Sequence, residues 1–214
     1  SFEGASLSRI KGVTAFDNVV VAKNTGASID VVGDVEVFET LTMTSGTLVT
    51  NDNVTIGSNA TRTGRLGEMG SGVFSGDLKV DRYMNFGHND WHLIGASVQG
   101  MTVGQWDGDF ITTGYSGADW PSYNFCSVTK YDETVAGLKD LGVDCVAGAF
   151  EGIPQGEGRR AYIAAGYNKL SVKGTPITGN FNWNLTYTNS GSTEDDGWNL
   201  ISNPYPSTIE MSKY

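Results

Sequence analysis

Charge, basic residues, histidine and cysteine are all scarce in this 214-residue chain, and each scarcity excludes something. Only 18% of the residues are charged and no long run of Glu, Lys, Ala and Leu occurs, which disfavours helix. No stretch approaches the roughly 18 consecutive apolar residues that a membrane helix needs, so no membrane insertion is expected. Basic residues number 14 against 24 acidic ones, a formal net charge of −10. A surface of that sign repels nucleic-acid backbones and anionic bilayers, so no nucleic-acid partner is expected, and solubility outside a cell is the simpler reading. Cys126 and Cys145 are the only cysteines, and their spacing is not Cys-x-x-Cys, which argues against redox catalysis and a zinc knuckle. An even count in a chain of exported character makes a Cys126–Cys145 disulfide the expectation, with two separately buried thiols as the alternative. Ser-centred nucleophile elbows, phosphate loops and Cys/His pairings are absent from the sequence.

The residues that are abundant point one way. Twenty-nine glycines together with many Thr, Val and Asn favour short strands between turns, so the expected class is all-β. From about Val13 to Tyr83 a polar turn carrying Asp or Asn precedes an alternating apolar strand, as in Asp17-Asn18-Val19, Gly33-Asp34-Val35, Asp52-Asn53-Val54 and Gly76-Asp77-Leu78. Further short strands are expected at Ala27–Val31, Leu41–Met43 and Gly46–Val49. Strand starts at Val19, Val35, Val54 and Leu78 recur at the loose period of stacked coils, which predicts a parallel β-solenoid over 1–83. An antiparallel meander is the alternative. All five Trp and most other aromatics follow Tyr83, so an aromatic-rich second domain, 84–214, is expected. Its expected strands are Trp91–Ile94, Ser127–Tyr131, Arg160–Ala164, Lys169–Val172, Trp183–Tyr187 and Trp198–Ile201, which predict an antiparallel β-sandwich or jelly roll.

The run Gly197-Trp198-Asn199-Leu200-Ile201-Ser202-Asn203-Pro204-Tyr205-Pro206-Ser207-Thr208-Ile209 resembles the GWNLxxNPYPSxI signature of large secreted, adhesin-like proteins of Bacteroidota that carry type IX secretion sorting domains. Lys79–Met84 followed by Trp91–Ile94 resembles that family's V-x-R-Y and W-x-L-I passage, and Gly158–Ile163 its G-Y-x-V-Y strand. The resemblance covers roughly residues 41–209. It implies export across the outer membrane to the cell surface or the medium. The implied partners are the other domains of a longer chain, the secretion machinery and outer-membrane surface components. The chain opens on Ser1 with neither Met nor signal sequence, which reads as a mature or excised segment. It stops at Tyr214, just after the signature, where relatives continue toward a sorting domain, so the second domain is expected to be incomplete.

Candidate sites are few. Trp106, Tyr115, Trp120 and Tyr123 lie in a Gly-rich stretch that reads as long loops, where exposed rings would form a platform for glycans and buried ones would anchor the loops. Asp107 and Asp109, and the run Glu194, Asp195 and Asp196, are weak Ca²⁺ candidates, since neither group reproduces a full ligand loop. Otherwise no cofactor is expected. His88 and His92 have the spacing of a helical zinc pair, but Asn89-Asp90-Trp91 between them reads as turn and strand. Trp91, Trp183 and Trp198 fit strand patterns and read as core. No catalytic residue is assigned, and the expected function is a non-catalytic structural or adhesive segment. A glycan-binding module of a polysaccharide-degrading protein is the alternative, and a solenoid lyase or hydrolase, which would need acidic ligands from successive coils such as Asp34, Asp52 and Asp77, is a more distant one.

Overall fold

The computed structural model describes residues 1–85, 87–135, 143–189, 191 and 196–210. Ten strands fill the first part: β1 (Phe2–Gly4), β2 (Ser8–Ile10), β3 (Thr14–Lys23), β4 (Ser28–Val31), β5 (Val35–Ser45), β6 (Thr47–Val49), β7 (Val54–Ile56), β8 (Arg65–Met69), β9 (Val73–Ser75) and β10 (Leu78–Tyr83). They wind into a β-solenoid. One parallel sheet runs β1-β3-β5-β7-β10 with β8 beside the second half of β5, and a second parallel sheet runs β2-β4-β6-β9.

Side chains on a strand alternate between faces, so in-register stacking puts like residues in rows. Val19 stands beside Leu41 and Leu41 beside Leu66; Val37 stands beside Ile56 and Ile56 beside Val80; Ile29 stands beside Leu48. Each of these is buried. The coil corners are fastened by the Asp and Asn residues that mark the repeat. Asn51 and Asp52 adopt left-handed backbone angles, which these residues tolerate better than most. The Asn51 amide donates to Asp30 Oδ1 at 2.7 Å and to the Val31 carbonyl at 2.9 Å, while Asp52 Oδ1 accepts from the Asp77 N–H one coil on.

Three details of the repeat differ from the sequence reading. The position equivalent to Val35 and Val54 in the preceding coil is Thr14, whereas Val19 pairs with Leu41. Asp17-Asn18, which reads as a turn, lies inside β3 at a register shift between Phe16 and Asn18. Likewise Leu41–Met43 is the second half of the 11-residue β5 and not a strand of its own.

The remaining strands are β11 (Asp90–Gly95), β12 (Val98–Gln99), β13 (Val128–Tyr131), β14 (Val143–Cys145), β15 (Gly158–Ile163) and β16 (Lys169–Pro176). β11-β15-β13-β14 form an antiparallel sheet, so the class is all-β, with solenoid stacking followed by antiparallel pairing. A single 3₁₀ turn, Val103–Trp106, is the helical element among the described residues. β16 pairs antiparallel with β10 and β12 with β16, so these strands cover the solenoid edge that β10 would otherwise expose. The joint is polar: Asp81, 4% exposed, accepts from Ser171 Oγ at 2.8 Å and Lys169 Nζ at 3.1 Å, with Lys79 Nζ at 3.3 Å.

Two expected strands do not form. Trp183–Tyr187 and Trp198–Ile201 carry no ladder beyond an isolated bridge from Ile201 to Glu157. Asn199 takes the ladder's place, its Oδ1 accepting from the Thr186 N–H at 3.2 Å and its Nδ2 donating to the Thr186 carbonyl at 2.9 Å. Without a sheet face to cover it, Trp198 is 51% exposed and is not core. Trp183 is half-buried, edge-on to Phe181, with its indole N–H donating to the Ser202 carbonyl at 3.2 Å. Trp91 on β11 is half-buried between Phe125, Tyr162 and the Arg160 guanidinium.

Candidate functional site

The loop between the 3₁₀ turn and β13 holds most of the residues singled out from sequence, and it folds around its own aromatics. Trp106 is 1% exposed and packs on the equally buried Phe110; Tyr115 is 4% exposed. Burial pushes the Tyr115 hydroxyl up to about 12. Neither Trp106 nor Tyr115 presents a ring to a ligand, so both are loop anchors. Trp120 and Tyr123 are exposed, at 63% and 62%.

Asp107 and Asp109 are engaged in the same loop. Thr112, fully buried, has its hydroxyl 3.2 Å from Asp107 Oδ1 and 3.1 Å from Asp119 Oδ2, and its N–H donates to Asp119 at 2.8 Å. Asp109 Oδ2 accepts from the Ser171 N–H and so ties the loop to β16. Among the described residues no group of three His, Cys, Asp or Glu is placed to hold a metal ion. Of the second Ca²⁺ candidate, Glu194 and Asp195 lie outside the described residues, and Asp196 is half-buried at a turn. His88 precedes β11 on a bend, exposed beside Asp90, and His92 is on the strand itself.

Both loop carboxyls are raised above the ordinary 3.8, chiefly by burial; neighbouring Asp119 adds to the effect at Asp107, and the Ser171 N–H opposes it at Asp109. With the folded value above the unfolded one, the folded state holds more protons between the two, so stability falls as pH rises through that window. Asp109→Asn removes the charge and keeps an oxygen for the Ser171 N–H. The expected result is a melting temperature at pH 7 equal to or above that of the parent, with the difference shrinking toward pH 3. A clear loss at pH 7 would show that the charge itself stabilises the loop.

A second constellation lies where the solenoid meets the antiparallel sheet. Gly95 and Gly158 face each other across β11 and β15. A Cβ on Gly95 would meet the Ser202 side chain at 2.2 Å, and one on Gly158 would meet Leu200 at 2.7 Å, so Leu200–Ser202 lies flat on this glycine pair. The Gly158 and Ser202 N–H groups donate to the Leu200 and Gly156 carbonyls at 2.9 and 2.8 Å. Pro204 and Pro206 are buried and turn the chain back to the solenoid, where the Leu66 N–H donates to the Pro206 carbonyl at 2.8 Å. The corner borders an open cavity of about 300 Å³ lined by Arg82, Leu93, Ile94, Ser97, Gly158, Leu200, Ile201, Ser202, Asn203, Tyr205 and Ser207 among others. All three sequence passages that carry the family resemblance thus meet at one cavity.

Sequence reading assigned Arg82, Ser97 and Ser207 no role. The available signal was strand alternation: Arg82 continues the inward row of Leu78 and Val80, where another apolar residue would be expected. No protein-family model, curated protein or solved structure matches this chain. Fold and geometry define it as a β-solenoid protein whose last coil is covered by strands of an antiparallel region.

Proposed function

We propose that this chain is a non-catalytic structural or adhesive segment of a large protein exported to a bacterial cell surface by a type IX-like route. The observation that carries this reading is that the Gly197–Ile209 run, which resembles the signature of such proteins, serves as a structural corner binding the solenoid to the antiparallel sheet. The engagement of Asp107, Asp109 and Asp119 in loop-fastening bonds supports it, as does the Cys126–Cys145 disulfide, a bond that persists in oxidising compartments. Its partners are then the other domains of a longer chain and the secretion machinery. In the producing bacterium, externally added protease should remove the protein from intact cells, and the purified chain should release no reducing ends from polysaccharides. Retention inside the cells would overturn the export reading, and turnover lost on substitution of Asp52 or Asp77 would overturn the non-catalytic one.

The glycan-binding alternative is favoured by one observation, the exposure of Trp120 and Tyr123 on the same loop. Glycan-array binding that disappears in Trp120→Ala would establish it.

A further inference from the structure

We propose that the cavity between β10, the β11–β15 glycine pair and the Leu200–Ser207 segment is a binding site for an acidic sugar unit, a hexuronate, with Arg82 holding its carboxylate. The inference does not depend on the adhesive reading, which a chain with no sugar affinity would still satisfy.

Arg82 carries the argument. Its guanidinium is half-buried and, among the described residues, makes one hydrogen bond, from Nη1 to the Asp81 carbonyl at 2.8 Å. The Asp81 carboxylate does not serve it, being engaged by Lys79, Lys169 and Ser171 on the opposite face of β10. Among the described residues no carboxylate pairs with Arg82. Burial lowers its affinity for the proton and the nearby Asp81 charge only partly opposes this. A cation removed from water without a partner is costly, and an incoming carboxylate relieves that cost through the planar fork of the guanidinium.

The other walls select among carboxylates. Ser97 and Ser207 line the cavity, and among the described residues neither hydroxyl has a hydrogen-bond partner, so each can donate to and accept from a ring hydroxyl. Leu93, Leu200 and Ile201 supply an apolar wall suited to the C–H face of a sugar ring, with Leu93 and Ile201 exposed. Glu157, which adjoins the lining residue Gly158, has its carboxylate held by Arg159 at 3.0 Å. A volume of about 300 Å³ is at the small end of ligand sites and suits a single sugar residue. A bare carboxylate such as acetate would leave both hydroxyls and the apolar wall unused.

The test is a titration of the isotopically labelled 214-residue chain with D-glucuronate, D-glucose and acetate, followed by amide chemical shifts. Glucuronate is expected to give saturable shifts at Ile94, Ser97 and Ser207 with a Kd on the order of 1–10 mM. Glucose and acetate should bind at least about tenfold more weakly, and Arg82→Gln should weaken glucuronate by about tenfold or more, with Arg82→Lys in between. Absence of saturable shifts up to about 50 mM, equal binding of glucose, shifts mapping elsewhere, or unchanged affinity in a folded Arg82→Gln variant would each overturn the proposal. Should Arg82→Gln fail to fold, the parent chain's shift map and the Ser97→Ala/Ser207→Ala variant, expected to bind several-fold more weakly, decide it.

Discussion

Leu41→Ala should lower the free energy of unfolding by about 2–5 kcal/mol, the largest effect expected of a single substitution in the solenoid. Leu41 is 1% exposed at the centre of β5, with Val19 on one side and Leu66 on the other in the same interior row. Truncation forfeits the transfer free energy of the lost methyl groups and leaves a cavity. Collapse around that cavity is restricted, because the neighbouring backbones are held at fixed spacing by ladders on both sides of β5. Val32→Ala, at a coil corner where Val32 is 52% exposed, should change stability by no more than about 0.5 kcal/mol. Denaturant unfolding of both variants checks the pair. A loss below about 1 kcal/mol at Leu41 would mean that this row is not the stabilising centre of the stack. A reduced denaturant slope would instead show coils unfolding apart from one another, as stacked repeats can.

How far the fold was legible follows from how locally each part is determined. The stack could be read because every coil needs an apolar inward row and a polar corner, and Val35-Glu36-Val37 and Val54-Thr55-Ile56 display both within a few residues. Its phase was misread at Val19 because β3 and β5 continue through register shifts, so Asp17-Asn18 resembles a corner although it lies within a strand. The last two expected strands failed for a different reason. Their alternation is real, but Asn199 satisfies the Thr186 backbone that a partner strand would have paired. Trp106 and Tyr115 are buried by a loop that closes on itself through Thr112, Asp107 and Asp119, contacts between positions five and seven apart that no periodicity announces. The corner cavity was least legible of all, because Arg82, Ser97 and Ser207 come from three distant segments and only the fold assembles them.

Replacing Cys126 and Cys145 with Ser should cost about 3 kcal/mol of stability and should loosen one edge of the antiparallel sheet first. The two cysteines are bonded, with Cα atoms 5.8 Å apart and a sequence separation of 19. Cross-linking over that span restricts the unfolded chain, and the estimate of about 3 kcal/mol is that loop-closure effect. The local consequence follows from topology. β14 is an edge strand held to β13 through Thr129–Cys145, Lys130–Asp144 and Tyr131–Val143. A three-residue edge strand opens readily once its covalent tie is gone. Cys126 in turn adjoins the loop fastened by the Thr113 hydroxyl to the Phe125 carbonyl at 2.7 Å and the Ser127 N–H to the Thr113 carbonyl at 3.0 Å, so the bridge joins that loop to the sheet edge. Amide exchange in the variant should therefore accelerate at Asp144 and Cys145→Ser while Val37, Leu41 and Ile56 keep their protection. Reducing the parent protein under native conditions should reproduce both the loss of stability and the exchange pattern. An unchanged melting temperature in the double variant, or two alkylated cysteines in the unreduced protein, would refute the prediction. Acceleration spread evenly over the solenoid would show that the bridge stabilises the whole molecule and not this edge alone.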